Sequence, residues 1–219
     1  MKILFCLFIF FNTLSFGDHL QAHDEKKIEK EEKSFSYYVK LAKKRDPEAL
    51  FKLGKFYYEG KIVRRSYKKA YKYLNQASAL GYIKADYNLG ILYANSKTKF
   101  HSYSKSYDIF LELAENGHAG AQNKVGTFLT LGFGGPIDFK EAVKWYEKSS
   151  RQGYITAQCN LASMYAAGMG VFVNFGRAHV FAKKGKEQGN RICRKVWREY
   201  NLGKYTKDKG FKFKFYNQP

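Results

Sequence analysis

The chain has 219 residues, with 39 Lys plus Arg against 19 Asp plus Glu and a formal net charge of +20. That length allows one ordinary domain or a short repeat array, and the charge favours anionic partners while saying nothing about fold. Only three residues are Pro, so helices can run long, and the 19 Gly require positional reasons.

In chain order, Lys2 precedes an apolar run over residues 3–11 that fades by Phe16. This is a positive n-region and a short h-region of signal-peptide type, shorter than the ~20 apolar residues a spanning helix needs. Cleavage after Gly17 or after Ala22 satisfies the small-residue rule, so residues 1–22 are read as a signal peptide. An uncleaved anchor is the alternative. Cys6 follows bulky Phe5, unlike a lipid-attachment cysteine. The predicted location is periplasmic or secreted.

A 36-residue period then takes over. Ala49, Ala85, Ala121, Ala157 and Cys193 form one column. Leu53, Leu89, Val125, Leu161 and Trp197 form a second, followed by Gly54, Gly90, Gly126 and Ala162. Tyr57, Tyr93, Leu129 and Tyr165 come next, and Gly81, Gly117, Gly153 and Gly189 close each unit. Ala, Leu and Tyr at steps of four make one stripe on a helix face. A small residue beside the Leu clears room for a second helix. The column Ser66, Ser102, Asp138 and Asn174 supplies N-cap residues for that second helix. Tyr73, Ile109, Trp145 and Phe181 behind them are expected in the core. The closing Gly suits a C-cap with positive φ. The turn within each unit is Gly-rich except in the second copy, where Asn95-Ser96-Lys97-Thr98 stands instead.

The period divides the chain into a leading cap (23–48), four repeats (49–84, 85–120, 121–156 and 157–192) and a terminal segment (193–219). Residues 30–45 are predicted as a leading half-repeat helix, because Tyr37 and Tyr38 precede Tyr73 and Leu74 by one period. Residues 191–202 are predicted as a trailing helix. Arg198 there replaces the small-residue column and would block a further helix, as a terminal cap should. Phe211-Lys212-Phe213-Lys214-Phe215 alternates with period two; of a strand-like arm, a sticky peptide and a disordered end, the last is favoured.

The pattern Ala-x-x-x-Leu-Gly-x-x-Tyr, a Gly-rich turn, Asp/Asn/Ser-x-x-x-Ala-x-x-Trp-Tyr and a Gly four residues before the next Ala resembles the Sel-one-like repeat (SLR), a relative of the tetratricopeptide repeat. Gly126, Gly132, Gly134, Asp138, Ala142, Trp145, Tyr146 and Gly153 of the third unit carry it most fully. The resemblance spans about residues 30–200. It implies an all-α, right-handed superhelical solenoid of antiparallel helix pairs, with four repeats and flanking half repeats. It further implies a scaffold or adaptor, often exported in bacteria. Some exported members are described as binding or hydrolysing β-lactams, and these carry a pair of cysteines per repeat, which this chain lacks.

Catalysis is not expected; a β-lactam or cell-wall-peptide hydrolase of the kind the resemblance implies is the alternative function. Ser-x-x-Lys occurs at Ser66–Lys69, Ser96–Lys99 and Ser102–Lys105, but Ser66 and Ser102 are already N-caps and no Lys-Thr-Gly or Ser-Asp-Asn partner exists. His19 and His23 alone share helical spacing and lie at the cleavage region, so no metal and no cofactor is predicted. Cys159 and Cys193 are expected as separate thiols, because packed helices lie ~8–10 Å apart. A bridge is the alternative in an oxidising compartment.

In tetratricopeptide-like arrays the first helices line the concave face. By register that groove holds Phe51, Lys55, Lys84, Tyr87, Asn88, Asn123 and Asn160 as the candidate partner-binding residues, flanked by Glu48, Tyr58, Ile91, Lys124, Thr127 and Ser163. Lys84-x-x-x-Asn88 resembles the Lys-x-x-x-Asn with which some tetratricopeptide repeats hold a peptide carboxylate, and Phe51 and Tyr87 would anchor apolar groups. The predicted partner is a protein or peptide. An anionic envelope surface is the second partner class. Nucleic acid is not expected, since export removes the chain from it and the repeat columns consume most aromatics.

Overall fold

Ser66, Ser102, Asp138 and Asn174 each open a helix in the computed structural model, which describes residues 34–208 and residue 210. Their side-chain oxygens accept from the backbone N–H three residues on, at 3.3, 3.3, 2.9 and 2.8 Å. This satisfies a donor that a helix end leaves unpaired. These are the second helices of the repeats: α3 (Tyr67–Ser78), α5 (Tyr103–Glu115), α7 (Phe139–Arg151) and α9 (Phe175–Glu187). The first helices are α2 (Pro47–Glu59), α4 (Ile83–Ala94), α6 (Ala119–Leu131) and α8 (Ile155–Ala167). Residues 34–42 form α1, and α10 (Arg191–Glu199) is followed by a 3-10 turn at Leu202–Lys204. No strand occurs among the described residues. The signal segment and the Phe-Lys tail lie outside them.

The first helices have their own capping column, which its mixed residue types disguise in the sequence. Asp46 accepts from Ala49 N at 2.7 Å, His118 Nδ1 from Ala121 N at 3.0 Å, and Asn190 from Ile192 N at 2.9 Å. Gly153 closes α7 with φ 81°, a conformation that L side chains rarely adopt. The second repeat's Gly-poor turn folds by other means. Asn95 Oδ1 accepts from Lys97 N at 3.0 Å, and buried Thr98 accepts from Phe100 N at 3.2 Å while donating to Leu92 O at 3.4 Å.

The chain divides into two units, one ending at Asp86 and the other beginning at Tyr87, so the boundary falls within α4. In the first unit α2 packs on α3, and Phe35 of α1 meets Phe56 edge to face at 5.5 Å. In the second, α5 packs on α6, α6 on α7, α7 on α8 and α8 on α9, with α10 against both α8 and α9. The small-residue column does what its recurrence implies. A Cβ on Gly54 would lie 2.7 Å from Leu74 Cγ, on Gly90 2.8 Å from Phe110 Cε1, and on Gly126 2.8 Å from the Tyr146 ring. The fourth repeat swaps the sizes: Ala162 stands for Gly, and the position facing it holds Ala182, both fully buried. This complementarity shifts the core by one residue from the expected column. Trp145 and Phe181 are buried, but Tyr73 and Ile109 are only half-buried, and Leu74, Phe110 and Tyr146 fill the contact.

The expectation of separate thiols is overturned: Cys159 and Cys193 are joined by a disulfide, with Cα atoms 4.7 Å apart. The ~8–10 Å spacing of packed helices is an axis-to-axis distance. It fails as a guide where two helices meet over a residue without a side chain. That residue is Gly185 of α9, whose added Cβ would sit 2.9 Å from Cys159 Sγ and collide with Cys193 Sγ.

Candidate functional site

The seven candidate residues divide between the two units. In the first, Phe51 is 8 % exposed and its ring lies 5.2 Å from Tyr82. It is a packing residue, which corrects its assignment as an open apolar anchor. Lys55 is exposed and paired with Glu59 at 3.7 Å, as Lys52 is with Glu48 at 3.9 Å. Lys84 is exposed at the start of α4.

In the second unit Tyr87 is half-buried, stacked on His118 at 4.9 Å and 5.4 Å from Phe110. Burial, together with Tyr154 against its hydroxyl, raises its pKa far above the usual tyrosine range. Asn123 is only 5 % exposed and is also removed from the open surface; its Oδ1 accepts from Asn160 Nδ2 at 2.9 Å. Phe51, Tyr87, Asn123 and Cys159 are one column of the repeat. Phe51 and Tyr87 meet Tyr82 and His118, which immediately precede the next first helices, α4 and α6, while Asn123 and Cys159 meet Asn160 of α8 and Cys193 of α10. The column is therefore a seam between successive repeats, which the sequence placed one residue too far toward solvent.

The neighbouring column is the open one. Asn88 of α4, Lys124 of α6 and Asn160 of α8 stand at the same register, each half-exposed. Thr127, one turn along α6, donates to Asn123 O at 2.9 Å and accepts from the Tyr146 hydroxyl at 3.3 Å, so the floor of this face is hydrogen-bonded in place. Burial lowers the proton affinity of the Lys124 ammonium. No carboxylate pairs with it among the described residues. An amide, an under-solvated ammonium and a second amide in consecutive repeats suit an extended peptide. Amides bond to main chain, and the ammonium takes a carboxylate. Ile91 and Ser163 flank the row, both half-exposed.

The Ser-x-x-Lys pairs are arranged differently from a nucleophile and its amine. Ser66 and Ser102 spend their oxygens on capping, while the Lys69, Lys99 and Lys105 ammoniums lie 4.8, 5.4 and 5.7 Å from the rings of Tyr57, Phe100 and Tyr93. No cluster of three His, Cys, Asp or Glu that could hold a metal occurs among the described residues, and none of their helices is long and apolar enough to cross a membrane. His19 and His23 lie outside the described residues.

The same helix pairs recur in known proteins. A crystal structure of a protective antigen present in uropathogenic Escherichia coli strains, displaying an SLR fold, is 26% identical with a TM-score of 0.67 over 77% of this chain. The chain spans only 36% of that antigen's length. The crystal structure of a Sel1 repeat protein from Oxalobacter formigenes is 25% identical with a TM-score of 0.68, covering 80% of this chain and 71% of its own. No curated protein matches the sequence significantly. The Sel1 repeat is matched four times without a gap, at residues 47–82, 83–118, 119–154 and 155–190, and the chain belongs to the Sel1-repeat family.

Proposed function

We propose that this chain is an exported, non-catalytic scaffold that holds an extended segment of a partner protein on the face of α4, α6 and α8 in its second unit. Sel1 repeats generally mediate protein–protein interaction, which sets the class. The observation that carries the site is Lys124, a half-buried ammonium without a carboxylate partner among the described residues, set between Asn88 and Asn160. A partly desolvated charge without a counter-ion is costly to keep, and a partner carboxylate would offset that cost. Export follows from the signal-type segment at residues 1–22. A photo-crosslinking residue at Asn88 in the full-length protein tests the reading in the native compartment. A small reproducible set of crosslinked proteins is expected there and not from the same probe at exposed Lys72 of α3. Equal capture at both positions refutes the site.

A second reading, attachment to an anionic envelope surface, is favoured by the net charge of +20. It predicts release at moderate salt. The β-lactam-hydrolase reading draws no support from Ser66 and Ser102, whose oxygens are committed to capping.

A further inference from the structure

Helix α10 carries a charge pattern that the repeat does not explain. Asn190 caps α10, accepting from Ile192 N at 2.9 Å and Cys193 N at 3.3 Å. Cys193 and Val196 are its buried side, tied to α8 through the disulfide. Arg191, Arg194, Lys195 and Arg198 are all exposed. Their spacing of i, i+3, i+4 and i+7 puts four cations in one outward stripe. Like charges at these spacings cost helix stability, so the stripe is kept against the helix's own interest. In α9, against which α10 packs, Lys183, Lys184 and Lys186 are exposed near the C-terminal end, and Lys186 lies over the Trp197 ring at 4.5 Å. Across residues 183–199 these seven cations face only Glu187 and Glu199, and no ion pair engages any of them among the described residues.

Composition does not account for the stripe. The chain's bias is toward lysine, with only eight arginines, yet three of the eight stand on this one helix face. The guanidinium fork matches two oxygens of a phosphate, whereas an ammonium is a point charge. We propose that the outward face of α10 docks on the phosphate headgroups of an anionic phospholipid bilayer, a proposal that rests on the envelope-attachment reading and gives it a location. A bilayer fits better than a linear polymer because the stripe runs along a convex helix rather than through a groove. Beside it, Ile192 is 38 % exposed and Trp197 half-buried, the apolar and amphipathic company that interfacial helices keep.

The test is co-sedimentation of the mature full-length chain with vesicles of equimolar phosphatidylglycerol and phosphatidylcholine. The Arg191→Gln, Arg194→Gln, Arg198→Gln triple variant should bind about 100-fold more weakly, each surface cation being worth a factor of about five. A Lys97→Gln, Lys99→Gln, Lys105→Gln variant loses the same charge within the second unit at exposed positions on and before α5, which does not pack on α10, and should bind within about threefold of wild type, since cations away from the docked face are screened. Unchanged circular dichroism keeps both comparisons among folded proteins. Equal losses in the two variants would leave attachment to net charge alone and overturn the α10 surface. No sedimentation of wild type would overturn the bilayer. In that case, α10-dependent binding to soluble polyphosphate would reassign the stripe to a phosphate polymer, and no binding to either would remove the attachment reading as well.

Discussion

Replacing both Cys159 and Cys193 by Ala removes a cross-link between residues separated by 34 in sequence. Closing a loop of that length withdraws about 4 kcal/mol of chain entropy from the unfolded state. The structure adds a smaller packing term. Both cysteines are fully buried and seat against Gly185, so losing two sulfur atoms leaves a void that costs about 1 kcal/mol. Urea unfolding followed by circular dichroism should therefore place the variant about 4–5 kcal/mol below the oxidised wild type. Hydrogen exchange should locate the loss, with the amides of α10 losing most protection, since α10 is joined to α8 by this bond and is the last α-helix among the described residues. A variant within about 1 kcal/mol of wild type would refute the chain-entropy reasoning. Protection lost evenly from α6 to α10 would refute the local role given to the bond.

Gly90→Ala should destabilise by about 1–2 kcal/mol, the overpacking against Phe110 outweighing the gain in helix propensity. Phe110→Leu in the same chain should recover part of that loss in urea unfolding, because the added Cβ would meet Phe110 atoms 2.8–2.9 Å away. His118→Ala should cost about 1 kcal/mol by uncapping α6, whereas His118→Asn should cost less, as Asn190 fills the equivalent position at α10. Lys124→Met should raise stability at neutral pH while weakening partner binding. The folded state holds the Lys124 proton less tightly than the unfolded chain does, so the unfolded state binds more protons and wild-type stability climbs as pH rises toward the ordinary lysine value of 10.5. The stability advantage of the variant should accordingly shrink in urea titrations at alkaline pH.

The period made the helix pairs legible because the same contact recurs: small residue on the first helix, large residue on the second, capping oxygen between. Where the contact changed its chemistry the sequence was silent. The N-cap column of the first helices runs Asp46, Tyr82, His118, Tyr154 and Asn190, and its mixed identities hide a shared position. The disulfide was missed because it depends on Gly185, a single residue on a third helix that carries no periodic signal. At the candidate site, register could not separate two adjacent columns of the first helices. Phe51 and Asn123 look like partner contacts in sequence and are spent on the seam between repeats. Register set Lys124 beside the groove residues, but its burial and its lack of a carboxylate partner among the described residues are properties of the fold. The α10 stripe is legible in the i, i+3, i+4, i+7 spacing of Arg191, Arg194, Lys195 and Arg198, but that all four face outward is a property of the fold.

The most direct measurement is a titration of peptides selected on the immobilised mature protein against wild type and a Lys124→Met, Asn160→Ala variant. Selected peptides should carry a required carboxylate, lose about 10-fold to 100-fold in affinity when it is amidated, and lose a similar factor with the variant, as expected for one charge-assisted hydrogen bond with a supporting amide. Peptides that bind both proteins equally, or that tolerate amidation without loss, would contradict the claim that the α4, α6 and α8 face holds the partner through Lys124.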